Sequence, residues 1–219
     1  MSPGMRAGAV MIDFNGTLSH DELVLAEIFS QLFAEHGKPL SAREYFHRLA
    51  GLSDQEIVRT WLGPDHPDVD KVVDERIARY RAAVAGAPTV PPEARDAVRY
   101  AAARIPVALV TGAARVEVEP VLQAASIADA FSVVVSADDV EHGKPHPESY
   151  ERALALLDGN LSAEQVVVFE DTEAGVAAAK AAGMRCVGLL GTVAPERLAA
   201  ADELAARLDV ELVRRFVGE

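Results

Sequence analysis

The feature that most constrains the fold is a series of short apolar segments that alternate with helical patterns after residue 92. Strands are predicted at 106–111, 132–136, 166–170 and 184–190, and helices at 93–104, 114–125, 147–157 and 173–182. The strand segments are almost uninterruptedly apolar, which is typical of a parallel sheet covered on both faces. Together with the apolar segment 9–13, they predict an α/β fold: a Rossmann-like parallel sheet of about five strands in a three-layer α/β/α sandwich.

Residues 19–91 differ from the rest of the chain because every pattern in them is helical. Four helices are predicted, at 21–36, from 42, from 54 and at 68–85. The middle two each begin after an S-x-x-E capping box, and a proline-rich stretch before residue 93 indicates a stiff return to the sheet. We therefore expect a core formed by 1–18 and 92–219, with an all-helical domain, 19–91, inserted after the first strand.

The composition argues against several classes of partner. The chain has 219 residues, a net charge of −13 and a pI near 4.9, which argue against nucleic acid or an anionic membrane as the main partner. Its single cysteine, Cys186, permits no internal disulfide. No segment has the length of a membrane span, and the start of the chain does not have the pattern of a signal peptide. We therefore expect a cytoplasmic protein, and both a monomer and a homodimer remain open.

Polar groups follow three of the predicted strands. Asp13 ends the first, in Asp-Phe-Asn-Gly-Thr, Thr111 ends the second, and Glu170 and Asp171 end the segment 166–170. Because parallel strands end at one edge of a sheet, these groups are expected to converge. A carboxylate there can act as a nucleophile, and neighbouring carboxylates suit Mg²⁺. Taken singly, such an aspartate is most often a turn residue, and an acidic pair before a helix is more often a partner of the helix dipole.

A lysine precedes another helix, in Gly143-Lys144-Pro145-His146-Pro147. Pro145 favours an extended backbone at Lys144, which would aim its ammonium group at the edge of the sheet, ready to neutralise phosphate charge. A solvated lysine before a helix is the simpler interpretation of the same pattern. Thr111 and Gly112 could likewise offer a hydroxyl and backbone N–H groups to a phosphate, or form an ordinary turn.

Taken together, these segments resemble the four motifs of the haloacid dehalogenase superfamily. The resemblance rests on residues 13–18, Thr111, 138–148 and 169–180, and it covers nearly the whole chain. The helical insertion is similar to the cap of subclass I, in the group of phosphatases and β-phosphoglucomutases. The resemblance implies a small phosphorylated metabolite as substrate and a cap that recognises its leaving group.

The resemblance also implies roles for individual residues. Asp13 would be the nucleophile and would form an aspartyl-phosphate, with Thr111 and Lys144 on the phosphoryl group. The candidate catalytic residues are Asp13, Asn15, Thr111 and Lys144. The candidate phosphate-binding residues are Asn15, Gly16, Thr111, Gly112 and Lys144. Mg²⁺ would be held by Asp13, the backbone carbonyl of Asn15 and Asp171, with Glu170 in or beside the coordination shell.

Asn15 departs from the phosphatase pattern, in which this position is a second aspartate that protonates the leaving oxygen and activates water. An amide cannot do this, so we expect impaired turnover unless another group substitutes. His20 and Glu22 are the nearest candidates for a surrogate acid/base, although both also fit the polar start of a helix. The alternatives are a weak or inactive phosphate-binding relative, an engineered Asp-to-Asn variant, and deamidation of the Asn-Gly pair.

Two sibling chemistries fit the residues less well. A 2-haloacid dehalogenase also lacks the second aspartate, but it typically has tyrosine there and no metal, whereas Glu170-Asp171 is an ending of the metal-binding type. A phosphomutase needs a second phosphate site in the cap, and Ala50 and Asp54 appear where the mutase has basic residues. Three basic residues remain as candidate cap contacts, although a solvated helix surface explains them equally: Arg43, His47 and Arg48.

Overall fold

The computed structural model describes residues 6–157 and 160–219, which form six strands and nine α-helices. The strands are β1 (Ala9–Ile12), β2 (Val107–Val110), β3 (Val133–Val135), β4 (Val166–Glu170), β5 (Arg185–Leu189) and β6 (Glu203–Ala205). The helices are α1 (Glu22–Glu35), α2 (Ala42–Arg48), α3 (Asp54–Leu62), α4 (Val69–Val84), α5 (Pro92–Ala102), α6 (Arg115–Ala124), α7 (Glu148–Leu156), α8 (Glu173–Ala181) and α9 (Val210–Val217). Within the described ranges, no helix has the length and apolar character needed to cross a membrane.

The strands form one parallel sheet in the order β3-β2-β1-β4-β5-β6, which confirms the predicted α/β class. β1 lies between β2 and β4, so that Val10 pairs with Val107 on one side and with Val167 on the other. Every residue of these three strands is buried, as expected for a sheet covered on both faces. The strand order reverses at β1, and such a switch point opens a crevice at the carboxyl ends of the strands.

The sheet has one strand more than predicted. β6 is a three-residue edge strand whose side chains are partly or fully exposed, so it lacks the continuous apolar run of a central strand. Helix α9 also escaped prediction, although it buries Val213 and Phe216. Phe216 packs edge-on against Phe169 of β4, with ring centroids 5.8 Å apart. The other predicted strands and helices of the sheet region are present, with ends that differ by at most two residues.

Helices α1 to α4 follow β1 directly and pack against one another. Both predicted capping boxes are formed, because Ser41 and Ser53 each accept a backbone N–H from a glutamate three residues later, and that glutamate bonds back. The apolar face of α1 buries Phe29 and Phe33. The described part of 20–91 contains no strand. The division into a core and a separate cap stays a prediction.

Candidate active site

The carboxyl edge of the sheet brings three acidic side chains together. Asp13 follows β1, Glu170 ends β4 and Asp171 is the next residue. All three are buried, and each places a carboxylate oxygen within 4.8 Å of the other two. This convergence follows from the parallel pairing of β1 with β4, which sets Ile12 opposite Phe169.

Lys144 joins two of these carboxylates. Its Nζ donates to Asp13 Oδ1 and to Glu170 Oε1, both at 2.5 Å, and to the carbonyl of Val110 at 3.0 Å. Glu148, at the start of α7, accepts backbone N–H groups from the loop that precedes Lys144. Although burial opposes the charged form, the two carboxylates raise the pKa of Lys144 above its ordinary value. The lysine is therefore a fixed positive charge beside Asp13.

Tyr150 is a contact of the site that the sequence analysis missed. Its hydroxyl donates to Glu170 Oε1 at 2.7 Å, and its side chain is fully buried on α7. The only signal in the sequence was its position on the helix that follows the Lys144 loop. Tyr150 and Lys144 together hold Glu170 in one orientation.

The acidic cluster carries more negative charge than Lys144 compensates. Burial and the neighbouring Glu170 raise the pKa of Asp13 to about 7, although Lys144 lowers it. The pKa of Asp171 is also raised, first by burial and then by Asp13 and Glu170. Asp171 Oδ2 is buried and has no hydrogen-bond partner among the described residues. Hard oxygen donors of this kind, with one buried oxygen left unpaired, fit a divalent cation such as Mg²⁺.

Two glycines allow the backbone to approach these carboxylates closely. Gly16 has φ +77°, and a Cβ there would lie 1.9 Å from Asp171 Oδ2. A Cβ on Gly175, in the first turn of α8, would lie 1.9 Å from the carboxyl carbon of Glu170. In the same turn as Gly16, the Thr17 hydroxyl donates to Asp171 Oδ1 at 3.1 Å. The turn after β1 and the start of α8 therefore both depend on glycine next to the acidic cluster.

A cavity of about 420 Å³, here called the site cavity, opens above Asp13. The sequence-predicted residues that line it are Asp13, Asn15, Glu22, Thr111, Gly112, Lys144 and Asp171. Thr111 is buried and its hydroxyl oxygen accepts the N–H of Ala113 at 3.0 Å, which leaves its own proton free to donate. Glu170 is not among the described residues that line the cavity, and it is linked to it through its bond to Lys144.

Two predicted residues face elsewhere. Gly16 and His20 line a neighbouring cavity of about 380 Å³, together with Glu22, which lines both cavities. His20 is exposed, and it is not among the described residues that line the site cavity. The structure therefore separates the two surrogate candidates, since Glu22 shares a cavity with Asp13 and Asn15 and His20 does not.

Glu22 has an unusual environment for a helix-start residue. It accepts a hydrogen bond from the Tyr45 hydroxyl at 3.2 Å. Burial, followed by the charge of the adjacent Asp21, raises the pKa of Glu22 to about 8. A carboxyl group in this state holds its proton near neutral pH and can donate it.

Asn15 is bound to a carboxylate that the sequence analysis did not single out. Its Nδ2 donates to Asp21 Oδ2 at 3.1 Å, and the same oxygen accepts the Ser19 hydroxyl at 2.6 Å and the hydroxyl of Tyr80. Asp21 is fully buried at the N-cap position of α1, and this burial raises its pKa. In a sequence, an aspartate just before a helix indicates an N-cap. Its contact with Asn15 is therefore seen only in the folded chain.

Comparisons of sequence and structure relate this chain to a hydrolase family and to phosphatases. The haloacid dehalogenase-like hydrolase family model matches residues 7–183. The chain is 35% identical to Validoxylamine A 7'-phosphate phosphatase of Streptomyces hygroscopicus subsp. limoneus, over 89% of this chain and 91% of the relative. It is 30% identical to a phosphoglycolate phosphatase of Pseudomonas putida, over 85% and 71%. The crystal structure of CbbY from Rhodobacter sphaeroides in complex with phosphate superposes with a TM-score of 0.81 at 27% identity, covering 94% of this chain and 96% of that one.

The family match spans most of the chain. Both of these relatives are phosphatases, and each alignment covers most of the relative's length. The structural match extends through the sheet and the four helices that follow β1, since it covers 94% of the chain. The chain therefore belongs to the haloacid dehalogenase-like hydrolase family and is a hydrolase of its phosphatase type.

Proposed function

We propose that the protein is a cytoplasmic, Mg²⁺-dependent hydrolase of a small phosphomonoester, with Asp13 as the nucleophile. The observation that carries the proposal is the position of Asp13 on the floor of the site cavity, 2.5 Å from the Nζ of Lys144 and next to Asp171. Lys144 keeps the Asp13 carboxylate oriented and lowers its pKa, and both effects favour attack by the ionised form.

In the proposed reaction, an Asp13 carboxylate oxygen bonds to phosphorus as the bond from phosphorus to the substrate oxygen breaks. Lys144, the Thr111 hydroxyl and the backbone of Gly112 bind the phosphoryl oxygens. Mg²⁺ would be held by Asp13, the backbone carbonyl of Asn15 and Asp171, with Glu170 beside them. When bound, it supplies positive charge that reduces the repulsion between Asp13 and the phosphate dianion.

The departing alcohol needs a proton, and water must later be activated against the aspartyl-phosphate. The Asn15 amide can do neither. Glu22 lines the same cavity and holds its proton near neutral pH, so it is the better-supported surrogate, whereas His20 lines the neighbouring cavity. Without a fully effective acid/base, we expect turnover about 10²–10⁴-fold below that of an enzyme with the usual aspartate.

We further propose that residues 19–91 act as a cap that closes over Asp13. Support comes from the lining of the site cavity, in which Phe29, Tyr45 and Arg76 of the inserted helices face Asp13 and Thr111 of the sheet edge. A leaving group attached to a phosphate on Asp13 would extend toward these helices.

A phosphate-binding relative with little turnover is the second candidate function. It is favoured by the Asn15–Asp21 hydrogen bond, because that bond engages the amide with a buried carboxylate instead of the substrate. Both candidates predict phosphate binding in the site cavity, and they differ in whether the bond to phosphorus is broken.

The test is phosphate release from p-nitrophenyl phosphate and a panel of phosphomonoesters in Mg²⁺. The full chain is compared with Asp13→Asn and with the exchanged pair Asn15→Asp/Asp21→Asn, which moves a carboxyl to position 15 and retains its amide partner. We expect slow release by the unmodified chain, none by Asp13→Asn, and a rise of about 10²–10⁴-fold in the exchanged pair. Release that survives Asp13→Asn would refute the mechanism. If only the exchanged pair releases phosphate, the phosphate-binding candidate is favoured.

If the exchanged pair is no faster than the unmodified chain, a surrogate acid/base is already at work. In that case Glu22→Gln is expected to lower kcat for alkyl phosphates more than for p-nitrophenyl phosphate, because p-nitrophenolate needs no proton to leave. His20→Gln, in the neighbouring cavity, is the matched control and is expected to change neither rate.

A further inference from the structure

We propose that the cap side of the site cavity accepts a neutral, hydroxyl-bearing or an amine-bearing leaving group, and excludes one that carries a carboxylate or a second phosphate. This inference rests on the proposed function, since it concerns the group attached to the phosphate. It is carried by one buried arginine, Arg76, and the carboxyl groups around it.

Arg76 of α4 lines the site cavity, and its side chain is only 3% exposed. A buried guanidinium beside a phosphoester site would ordinarily suggest a binding group for a second anion. Here both terminal nitrogens are already engaged, Nη2 by Asp54 of α3 and Nη1 by Glu117 of α6. An incoming anion would have to displace one of these two carboxylates, which would then lose its partner.

The charge around Arg76 also opposes an anion. Three carboxyl groups, from Glu22, Asp54 and Glu117, stand on this side of the site against one guanidinium. Burial raises the pKa of Glu22 to about 8 and that of Glu117 to about 7, so this side of the site favours the protonated, neutral form of its own carboxyl groups over buried negative charge. A further negative group would add to that cost, whereas an ammonium group would relieve it.

The charged residues at the rim do not reverse this balance. Arg59 and Glu141 also line the site cavity, but both are exposed and they have opposite signs. Solvent and salt screen charges in such positions. They add no net charge to the mouth of the cavity.

The groups that remain available suit hydroxyls and amines. Glu22 presents a carboxyl group to the cavity. Apolar lining from Leu25, Phe29 and Ile57 completes the surface. A carboxyl group beside an apolar wall can bind the hydroxyl edge and the carbon face of a polyol.

The test uses three six-carbon phosphomonoesters that carry an ammonium group, no further charge or a carboxylate: glucosamine 6-phosphate, glucose 6-phosphate and 6-phosphogluconate. Dissociation constants are measured by calorimetry on the full chain in Mg²⁺, and phosphate release is followed in parallel. Because Asn15 slows turnover, binding can be read before much ester is consumed. We expect 6-phosphogluconate to bind at least about tenfold more weakly than glucose 6-phosphate, because its carboxylate meets a buried arginine whose two terminal nitrogens are already paired with carboxylates. Glucosamine 6-phosphate should bind at least as tightly as glucose 6-phosphate.

Two variants test the cause of this order. Asp54→Asn removes the negative charge that holds Arg76 Nη2 and should raise the affinity for 6-phosphogluconate, relative to that for glucose 6-phosphate, by about tenfold, the size of one charge-assisted hydrogen bond. Asp70→Asn removes the same charge from an exposed position in the first turn of α4 and should leave the ratio unchanged. If Asp54→Asn does not fold, Glu117→Gln removes the charge of the other carboxylate on Arg76 and should change the ratio in the same direction.

Each outcome decides between the two proposals. Binding of 6-phosphogluconate as tightly as glucose 6-phosphate, or a ratio that Asp54→Asn and Glu117→Gln leave unchanged, would overturn this inference and leave the phosphatase mechanism intact. If none of the three esters binds but p-nitrophenyl phosphate is hydrolysed, this inference fails alone. If p-nitrophenyl phosphate is not hydrolysed either, the proposed function itself fails, and this inference fails with it.

Discussion

The buried carboxyl group of Glu117 leads us to predict a pH dependence of the free energy of unfolding that does not involve substrate. Glu117 is 1% exposed on α6, accepts the N–H of Ala114 at 3.2 Å and is paired with Arg76. Burial outweighs the favourable charge of Arg76 and raises the pKa of Glu117 from 4.5 to about 7 in the folded chain. Folding therefore favours the protonated form of this group.

The sign of the pH dependence follows from linkage. Because the folded pKa is the higher one, the contribution of Glu117 to the free energy of unfolding is fully present below pH 4.5 and is lost as the pH rises through 7. With 1.36 kcal/mol for each pKa unit, the loss over this interval is about 3 kcal/mol. Glu117→Gln removes the titration. The difference in unfolding free energy between the two proteins should therefore change by about that amount between pH 4.5 and 7.5.

The assay is urea unfolding of both proteins at several pH values in saturating Mg²⁺, so that the acidic cluster at Asp13 contributes equally to each. Any pH-independent cost of the amide, such as a weakened bond to Arg76, cancels from the change with pH. Glu119→Gln on the same helix is the matched control, since the Glu119 side chain is 56% exposed. Parallel pH profiles for Glu117→Gln and the unmodified chain would refute the reasoning.

Three further predictions concern the acidic cluster and Asn15. Mg²⁺ at 100 times its Kd should stabilise the fold by about 2.7 kcal/mol in thermal unfolding, and a chelator should abolish phosphate release; a cation without effect on either would contradict the metal site. Gly175→Ala should lower the free energy of unfolding by about 1–2 kcal/mol, because the added Cβ displaces Glu170. This loss outweighs the better helix propensity of alanine. Gly143→Ala is the control, since a Cβ there meets no described atom within 4 Å. Asn15→Asp alone should be less stable than its combination with Asp21→Asn, because two carboxyls would then lie at a 3.1 Å contact; equal stabilities in urea unfolding would contradict this.

The sequence alone was sufficient to predict the elements that depend on local pattern. The apolar runs of β1, β2 and β4 are buried on both faces, and such runs indicate a parallel sheet without reference to any distant contact. From that sheet, the convergence of Asp13 with Glu170 and Asp171 follows from the rule that parallel strands end at one edge. The two capping boxes were predictable for the same reason, since each is complete within four residues.

The contacts that depend on packing between distant elements could not be predicted in this way. Arg76 and Glu117 are 41 residues apart, and neither lies in a motif. Tyr150 is 20 residues from Glu170 and appeared only as one more helical position. The short edge strand β6 has too little apolar character to be separated from a loop. In each case the information lies in the way two surfaces meet, which periodicity along one segment does not contain.

Asn15 is a case in which the local sequence pattern and the contacts formed on folding are both informative. Its local pattern, an amide where related phosphatases have a carboxylate, indicates a loss of acid/base capacity. The folded chain shows that a carboxyl group is nevertheless next to it, since Asp21 lies buried at 3.1 Å and also binds Ser19 and the distant Tyr80. Two ionised carboxylates would repel each other at that distance. Asp21 therefore supplies a physical reason for an amide at position 15 that is independent of catalysis. The amide donates a hydrogen bond to the buried carboxylate without adding a second negative charge.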